Sequence, residues 1–341
     1  MILKMLPKRM WLFWLLLVLG LGLIFYLVLG RGVDSTTTQQ VLRREQALAR
    51  AEASNIMTFF QMFGNSIAVF AQLASTEDRN ANLVRNMDEF VDQWRDSGLI
   101  GGILLTDKEG VVQFNSNVLG TRDLGTSLSD RDYFIWAEEQ SKEGEYFVGQ
   151  PVVSRVGASK DKVVAVIVSP VYKNEIFTGV LAASVQVKPL TEQYFGLLRI
   201  SDATRIYLIN ESGEILFNSF DPDTLRLNVF EPAPDRPFWG NHDLIENFES
   251  AISSSREGRM RASYLNSISG KMEEHLVAYS PVLLGSQNWL LIMASPIKSV
   301  TNITTPIYIK QTATLFLIYL TVLLFGLIVN RESKRQNKLS E

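Results

Sequence analysis

Two stretches of the chain carry no charge: MWLFWLLLVLGLGLIFYLVLG at 10–30 and QTATLFLIYLTVLLFGLIVN at 311–330. About 20 apolar residues in a row span a bilayer as a helix. The pattern therefore predicts transmembrane helices at 10–30 and 308–330. The alternative for the first is a cleaved signal peptide, but its apolar run is long for one and no small-x-small cleavage site follows. Residues 34–75 predict a single long helix. Leu42, Ala49, Ile56, Phe63 and Phe70 recur every seven residues, with Gln46, Ala53, Phe60, Ile67 and Ala74 interleaved four later. Such a heptad seam has two readings, a core contact along its own domain or a parallel dimer helix, and periodicity does not separate them.

After Gly98 the texture changes to apolar, β-branched runs of strand length between turn signals. Strands are predicted near 99–106, 110–116, 145–154, 162–172 and 177–187, with helices at about 130–141 and 188–196. A second set follows: strands near 204–210, 214–218, 258–266, 274–284 and 288–296, with a helix near 243–254. LLTDKEGVVQFNS at 104–116 echoes YLINESGEILFNS at 207–219, and SPVYKNEIFTGVLAASV at 169–185 resembles SPVLLGSQNWLLIMASPI at 280–297. Two echoes in the same order at similar offsets predict two similar α+β modules in tandem. A linker falls at about 196–203, and the proline-rich 220–240 is the longest irregular stretch.

Charge orients this layout. Lys4, Lys8 and Arg9 precede the first apolar run, and Arg331, Lys334, Arg335 and Lys338 follow the second, against Glu332 and Glu341. The segment between carries more Asp and Glu than Lys and Arg. By the positive-inside rule both tails are cytoplasmic and the middle lies outside the cell membrane. An acidic domain is a poor nucleic-acid binder. The absence of cysteine means an outside domain held by its core alone, which suits a prokaryotic envelope.

The candidate chemistry sits in LSDRDYFIWAEEQ at 128–140. Ser129 is a suitable helix N-cap, with Asp132 placed for a capping-box contact. Asp130 and Asp132 suit the positive end of the helix dipole. Arg131 gains nothing there and needs an anion, either one of these aspartates or a ligand carboxylate. Its planar fork suits bidentate carboxylate recognition, and Tyr133 adds a hydroxyl. The plainer reading is an internal salt bridge among aromatic core residues. DRPFW at 235–239 echoes DRDYF at 130–134, but its prolines favour a fixed loop over a second pocket.

SDRDYFIWA, GEYFVGQPVVSRVG, VVAVIVSPVYKNEIFTGVLAASVQVKPLTEQY and TRIYLINESGEILFNS, in this order and spacing, resemble the double Cache (PDC-like) sensor domains. These belong to bacterial chemoreceptors, histidine kinases and diguanylate cyclases. The resemblance runs over about 34–300 and implies a membrane-distal module that holds the ligand and a membrane-proximal one. An amino-acid-binding branch of that family carries an aromatic residue, Arg-x-Trp-Tyr, Tyr-x-Asp on a strand, and a further Asp. Arg131 matches the arginine, while Tyr133 and Phe134 stand for the Trp and Tyr. Thr126 replaces the leading aromatic, and Ser154 and Ser184 replace the aspartates. The carboxylate half is thus partly kept and the ammonium half is missing. A buried ammonium without a carboxylate partner is costly, so a small carboxylate is expected rather than a standard α-amino acid. The expected ligand contacts are Arg131, Tyr133, Phe134, Val152, Ser154, Arg155 and Ser184, with Arg155 as a second cation suiting a dicarboxylate.

His242 and His275 are the only histidines, and no spacing suggests a metal site, cofactor loop or catalytic nucleophile. No cofactor and no catalysis are expected. The expected fold is α+β: a long N-terminal helix and two tandem PAS-like antiparallel-sheet modules, flanked by two transmembrane helices. The expected division is a tail at 1–9, a span at 10–30, an extracytoplasmic domain at 31–303, a span at 308–330 and a tail at 331–341. Within the domain, 34–75 is the helix, 76–200 the distal module and 201–303 the proximal one. A homodimer is expected through the 42–74 seam. So is a separate cytoplasmic kinase, cyclase or chemoreceptor partner, or membership of a truncated receptor. The rival is an envelope interaction subunit that has lost ligand binding.

Overall fold

The computed structural model describes residues 10–76, 81–196, 198, 203–231, 233, 238, 240–266 and 270–339. The chain divides into two compact units. One takes the segments up to Val41 and from Pro296, and the other is Leu42–Ser295. In the first, the N-terminal part of helix α1 (Met10–Thr76) meets helix α6 (Ile297–Leu339). Tyr319 Oη occupies the space a side chain at Gly22 would need, so glycine is what lets the two backbones approach there. Within α6, Ile309–Ile328 has a mean hydropathy of 2.0 and none of it is buried.

The second unit holds two antiparallel sheets against the rest of α1. The module expected to be distal runs α2 (Ala81–Gln93), β1 (Ile100–Thr106), β2 (Val112–Asn117), α3 (Asp132–Glu139), β3 (Phe147–Val148), β4 (Val152–Val153), β5 (Val163–Lys173), β6 (Ile176–Gln186) and α4 (Val187–Phe195). The proximal module runs β7 (Arg205–Ile209), β8 (Ile215–Asn218), α5 (His242–Ser254), β9 (Gly258–Asn266), β10 (Lys271–Leu283) and β11 (Asn288–Pro296). The sheet orders are β2-β1-β6-β5-β3, with β4 also on β5, and β8-β7-β11-β10-β9.

The sequence echoes are structural equivalents. The β1–β2 ladder slips between Leu105 and Thr106, and the β7–β8 ladder between Leu208 and Ile209. Both turns are built alike. Asp107 Oδ1 accepts from the N–H groups of Glu109 (3.1 Å) and Val111 (2.9 Å). Asn210 Oδ1 accepts from those of Ser212 (3.1 Å) and Glu214 (2.8 Å). Short Asx side chains thus stand in for backbone partners at both corners.

The heptad seam belongs to this chain's own core. Ala49, Ala53, Ile56, Phe60, Phe63 and Ile67 are buried in one cluster with the inner faces of both sheets. Each large side chain there is worth roughly 1.5–3 kcal/mol of burial. Phe60 meets Trp289 of β11 edge-on at 5.5 Å, and Phe63 meets Trp94 at 4.6 Å. A dimer through Ile56 or Phe63 would have to open this core, so these central turns of the seam are not a dimer face.

Three local readings are corrected. Helix α2 was not expected, although Leu83, Met87 and Val91 recur every four residues and are all buried. The strand expected at 145–154 is two short pieces, because Gly149 and Pro151 interrupt it. Helix α3 starts at Asp132 with Arg131 at the N-cap and no side-chain cap, so Ser129 does not cap it. Ser129 Oγ instead lies 3.0 Å from Ser127 Oγ. The linker at about 196–203 lies mostly outside the described residues.

Candidate ligand-binding site

Where α3 begins over the distal sheet, the side chains leave a cavity. Its floor is β1. A side chain at Gly101 would strike the hydroxyls of Ser159 and Ser184, and one at Gly102 the Ser116 carbonyl. One wall is β6 and β5, through Ala182, Ser184, Val164 and Val166, and the mouth is Val152, Ser154 and Arg155. The volume is about 30 Å³, room for about one water or a group of carboxylate size.

Six of the seven expected contacts line this cavity: Arg131, Tyr133, Val152, Ser154, Arg155 and Ser184. Phe134 does not. It follows Tyr133 on the same helix, so it points about 100° away. Its ring is buried against Phe177, at 6.1 Å between centroids. Sequence reasoning missed Asn115, which lines the cavity and donates to Asp123 Oδ2 at 3.3 Å. Its signal was the FNS of the echo, read only as a repeat mark.

Arg131 and Arg155 play different parts. Arg155 is taken by Asp130 in a bidentate pair, 2.6 Å on each branch, at the exposed rim. That hydrogen bond holds the Asp130 carboxyl below its usual range. Arg131 pairs with neither aspartate. One Nη donates to the Val153 carbonyl at 3.1 Å, while its Nε–H is buried without a partner. Asp132 turns away, and its Oδ2 accepts from Gln150 N at 2.8 Å while Oδ1 is buried and unpartnered. A buried unpaired donor costs about 1–3 kcal/mol, so the Arg131 N–H is a standing demand for an acceptor.

The other polar groups are neutral. Burial pushes the Tyr133 phenol up to about 12, which keeps it a hydrogen-bond donor. Ser154 Oγ donates to the Val156 carbonyl at 3.0 Å. Ser184 Oγ lies 3.4 Å from Ser159 Oγ. Among the described residues no Asp or Glu lines the cavity. The donors that face the cavity are cationic and neutral, and the one carboxylate close behind them, Asp123, is engaged by Gly157 N at 2.7 Å and Asn115 Nδ2 at 3.3 Å.

This end of the distal module is fastened to the proximal one. Ser286 Oγ accepts from Val148 N (3.1 Å) and donates to Val148 O (2.7 Å). Gln150 Nε2 donates to Glu211 Oε1 at 2.6 Å. Asp132, Gln150 and Glu211 thus link the start of α3 to the β7–β8 turn.

The chain matches the Cache domain family over residues 33–303. Among solved structures, one named methyl-accepting chemotaxis protein X aligns with a TM-score of 0.58 at 16% identity, covering 76% of this chain and 98% of its own. The ligand-binding domain of the Pseudomonas fluorescens chemoreceptor CtaA, solved with L-alanine, gives 0.53 at 17% identity, over 75% of this chain and 97% of its own. The extracellular domain of mmHK1S-Z2, named as a histidine kinase, gives 0.55 at 15% identity, over 78% and 99%. No curated protein matches the chain. Identities this low speak for the fold alone.

Proposed function

The chain belongs to the Cache domain family, and from that premise we propose that it is a membrane-anchored sensor whose distal module binds a small polar ligand by its carboxylate. The observation that carries this is the Arg131 Nε–H, buried beside the cavity with no acceptor. Tyr133, Asn115, Ser154 and Ser184 supply neutral hydrogen bonds around it. CtaA was solved with an amino acid, L-alanine. Here serines replace the aspartates that would take an ammonium, so the ligand is a carboxylate without an α-amino group.

Anchoring is by helices at 10–30 and 308–330, with 31–303 outside the cell membrane and basic tails inside. This rests on the two charge-free stretches and the tail charges. The ligand acts by favouring one of two shapes of the domain, which a cytoplasmic kinase, cyclase or chemoreceptor partner reads. No catalytic step is proposed. A homodimer pairs through the outer face of α1, where Met62 and Val69 are exposed. A cysteine at Val69 crosslinks in membranes and one at Ile56 does not; the reverse result would discard this face.

The small cavity favours a second reading, an envelope interaction subunit without a ligand. The unpaired Arg131 N–H weighs against it. A thermal-shift panel of carboxylates, amino acids, amines and purines on the full chain decides. A ligand that binds the folded state raises the melting temperature with its concentration. Carboxylates should do so and amines should not. A panel in which only amino acids stabilise would overturn the ligand class.

A further inference from the structure

The cavity adjoins a second, open space. Arg131, Val152, Ser154 and Arg155 line both, and the outer groove, of about 540 Å³, adds Lys160, Asp161 and Arg226. Arg226 comes from the proximal module, just after β8. Its backbone is held left-handed (φ 69°), with its N–H donating to Ile215 O at 2.9 Å. The groove therefore crosses from one module to the other.

Its lining holds more cations than anions, and two of those cations already have a carboxylate partner outside the lining. Four cationic side chains line it, Arg131, Arg155, Lys160 and Arg226, against Asp161 alone. Arg155 is satisfied by Asp130 and is not the free second cation the sequence suggested. Arg226 makes one contact, Nε to Glu214 Oε1 at 3.3 Å, and is 64% exposed. Lys160 is exposed and forms no ion pair with a described residue. Like charges held around one space repel, and an anion among them relieves the repulsion.

Size completes the argument. A cavity of about 30 Å³ admits a carboxylate but not the molecule that carries it. If a carboxylate reaches Arg131, the rest of the ligand lies in the groove, among cations. A second carboxylate there is favoured and an ammonium is not. Resting on the reading that Arg131 takes a carboxylate, we propose that the ligand is a small di- or tricarboxylate bridging the two modules. One carboxylate sits on Arg131, and another is held across the groove by Lys160 and Arg226. Such a molecule senses the distance between modules directly, because its two ends bind different ones.

The test is calorimetric titration of the full chain in nanodiscs with succinate, citrate and, as a single-charge control, acetate. Succinate or citrate should bind at least tenfold tighter than acetate. Lys160→Ala and Arg226→Asn (a residue that suits the left-handed backbone) should each cut that preference about fivefold and leave acetate binding unchanged. Both side chains are exposed, and an unchanged melting temperature without ligand checks that the variants fold. Equal affinity for acetate and succinate would overturn the bridge while keeping the Arg131 site. So would dicarboxylate affinities that ignore Lys160 and Arg226. Binding that ignores Arg131→Ala, or no binding by any of the three, would remove the underlying reading and the bridge with it.

Discussion

The two modules share a strand order and matching turns, yet one keeps a cavity where the other is filled. In the distal module Tyr133 lines the space beneath α3. Phe238 stands at the matching place in DRPFW, and it is fully buried. Its ring meets Tyr207 at 4.8 Å, Tyr264 at 5.1 Å and Phe248 at 5.2 Å. The paired asparagines differ in the same way. Asn115 faces the cavity, whereas Asn218 donates to Thr224 Oγ1 at 2.7 Å and is closed off. The same scaffold thus gives a site where small residues and an unpaired arginine meet, and a plug where aromatic rings do.

The most forceful way to break this comparison is to remove the plug. Phe238→Ala should cost about 3–5 kcal/mol, as for a large buried ring, measured by urea denaturation. A loss below about 1 kcal/mol would mean the proximal core does not depend on that ring.

The next effect concerns Glu45 on α1, which lies fully buried with neither oxygen hydrogen-bonded. The nearby Ser295 hydroxyl is engaged by Thr204 at 2.8 Å. Burial raises the Glu45 carboxyl from 4.5 to about 8. Between those values the unfolded chain is ionised while the folded one keeps its proton. Folding then takes up a proton, and stability falls as pH rises through that window. Glu45→Gln should remove this slope. Relative to its value near pH 4, its stability should gain on the wild type by on the order of 4 kcal/mol at pH 8. Parallel pH curves for the two proteins would contradict it.

A smaller effect tests the fastening between modules. Ser286→Ala should cost about 1–2 kcal/mol by leaving Val148 without its two partners. Carboxylate affinity should stay within about twofold. A much larger loss of affinity would place the fastening inside the site itself.

Much of the fold was legible because its signals are local. The hairpins came from strand-length apolar runs and polar turns with a glycine, and the module repeat from FNS and SPV. The seam residues were legible but their partner was not, since a heptad looks the same against a sheet as against a second helix. At the site, the cluster around Arg131 was readable from residue types. The choice between Tyr133 and Phe134 was not, because it depends on where α3 starts, and that start, with Arg131 at the N-cap, carries no capping side chain. The pairing of Arg155 with Asp130 spans 25 residues. Arg226 reaches the groove only because two modules adjoin. Neither is a local pattern.

The central claim is that Arg131 takes the ligand carboxylate in the distal module. The most direct measurement is the affinity of wild type and Arg131→Gln for the same carboxylate, by calorimetry on the full chain. The account predicts a loss of at least tenfold, about 1.4 kcal/mol or more, with the variant still unfolding cooperatively. An affinity that does not move would contradict it.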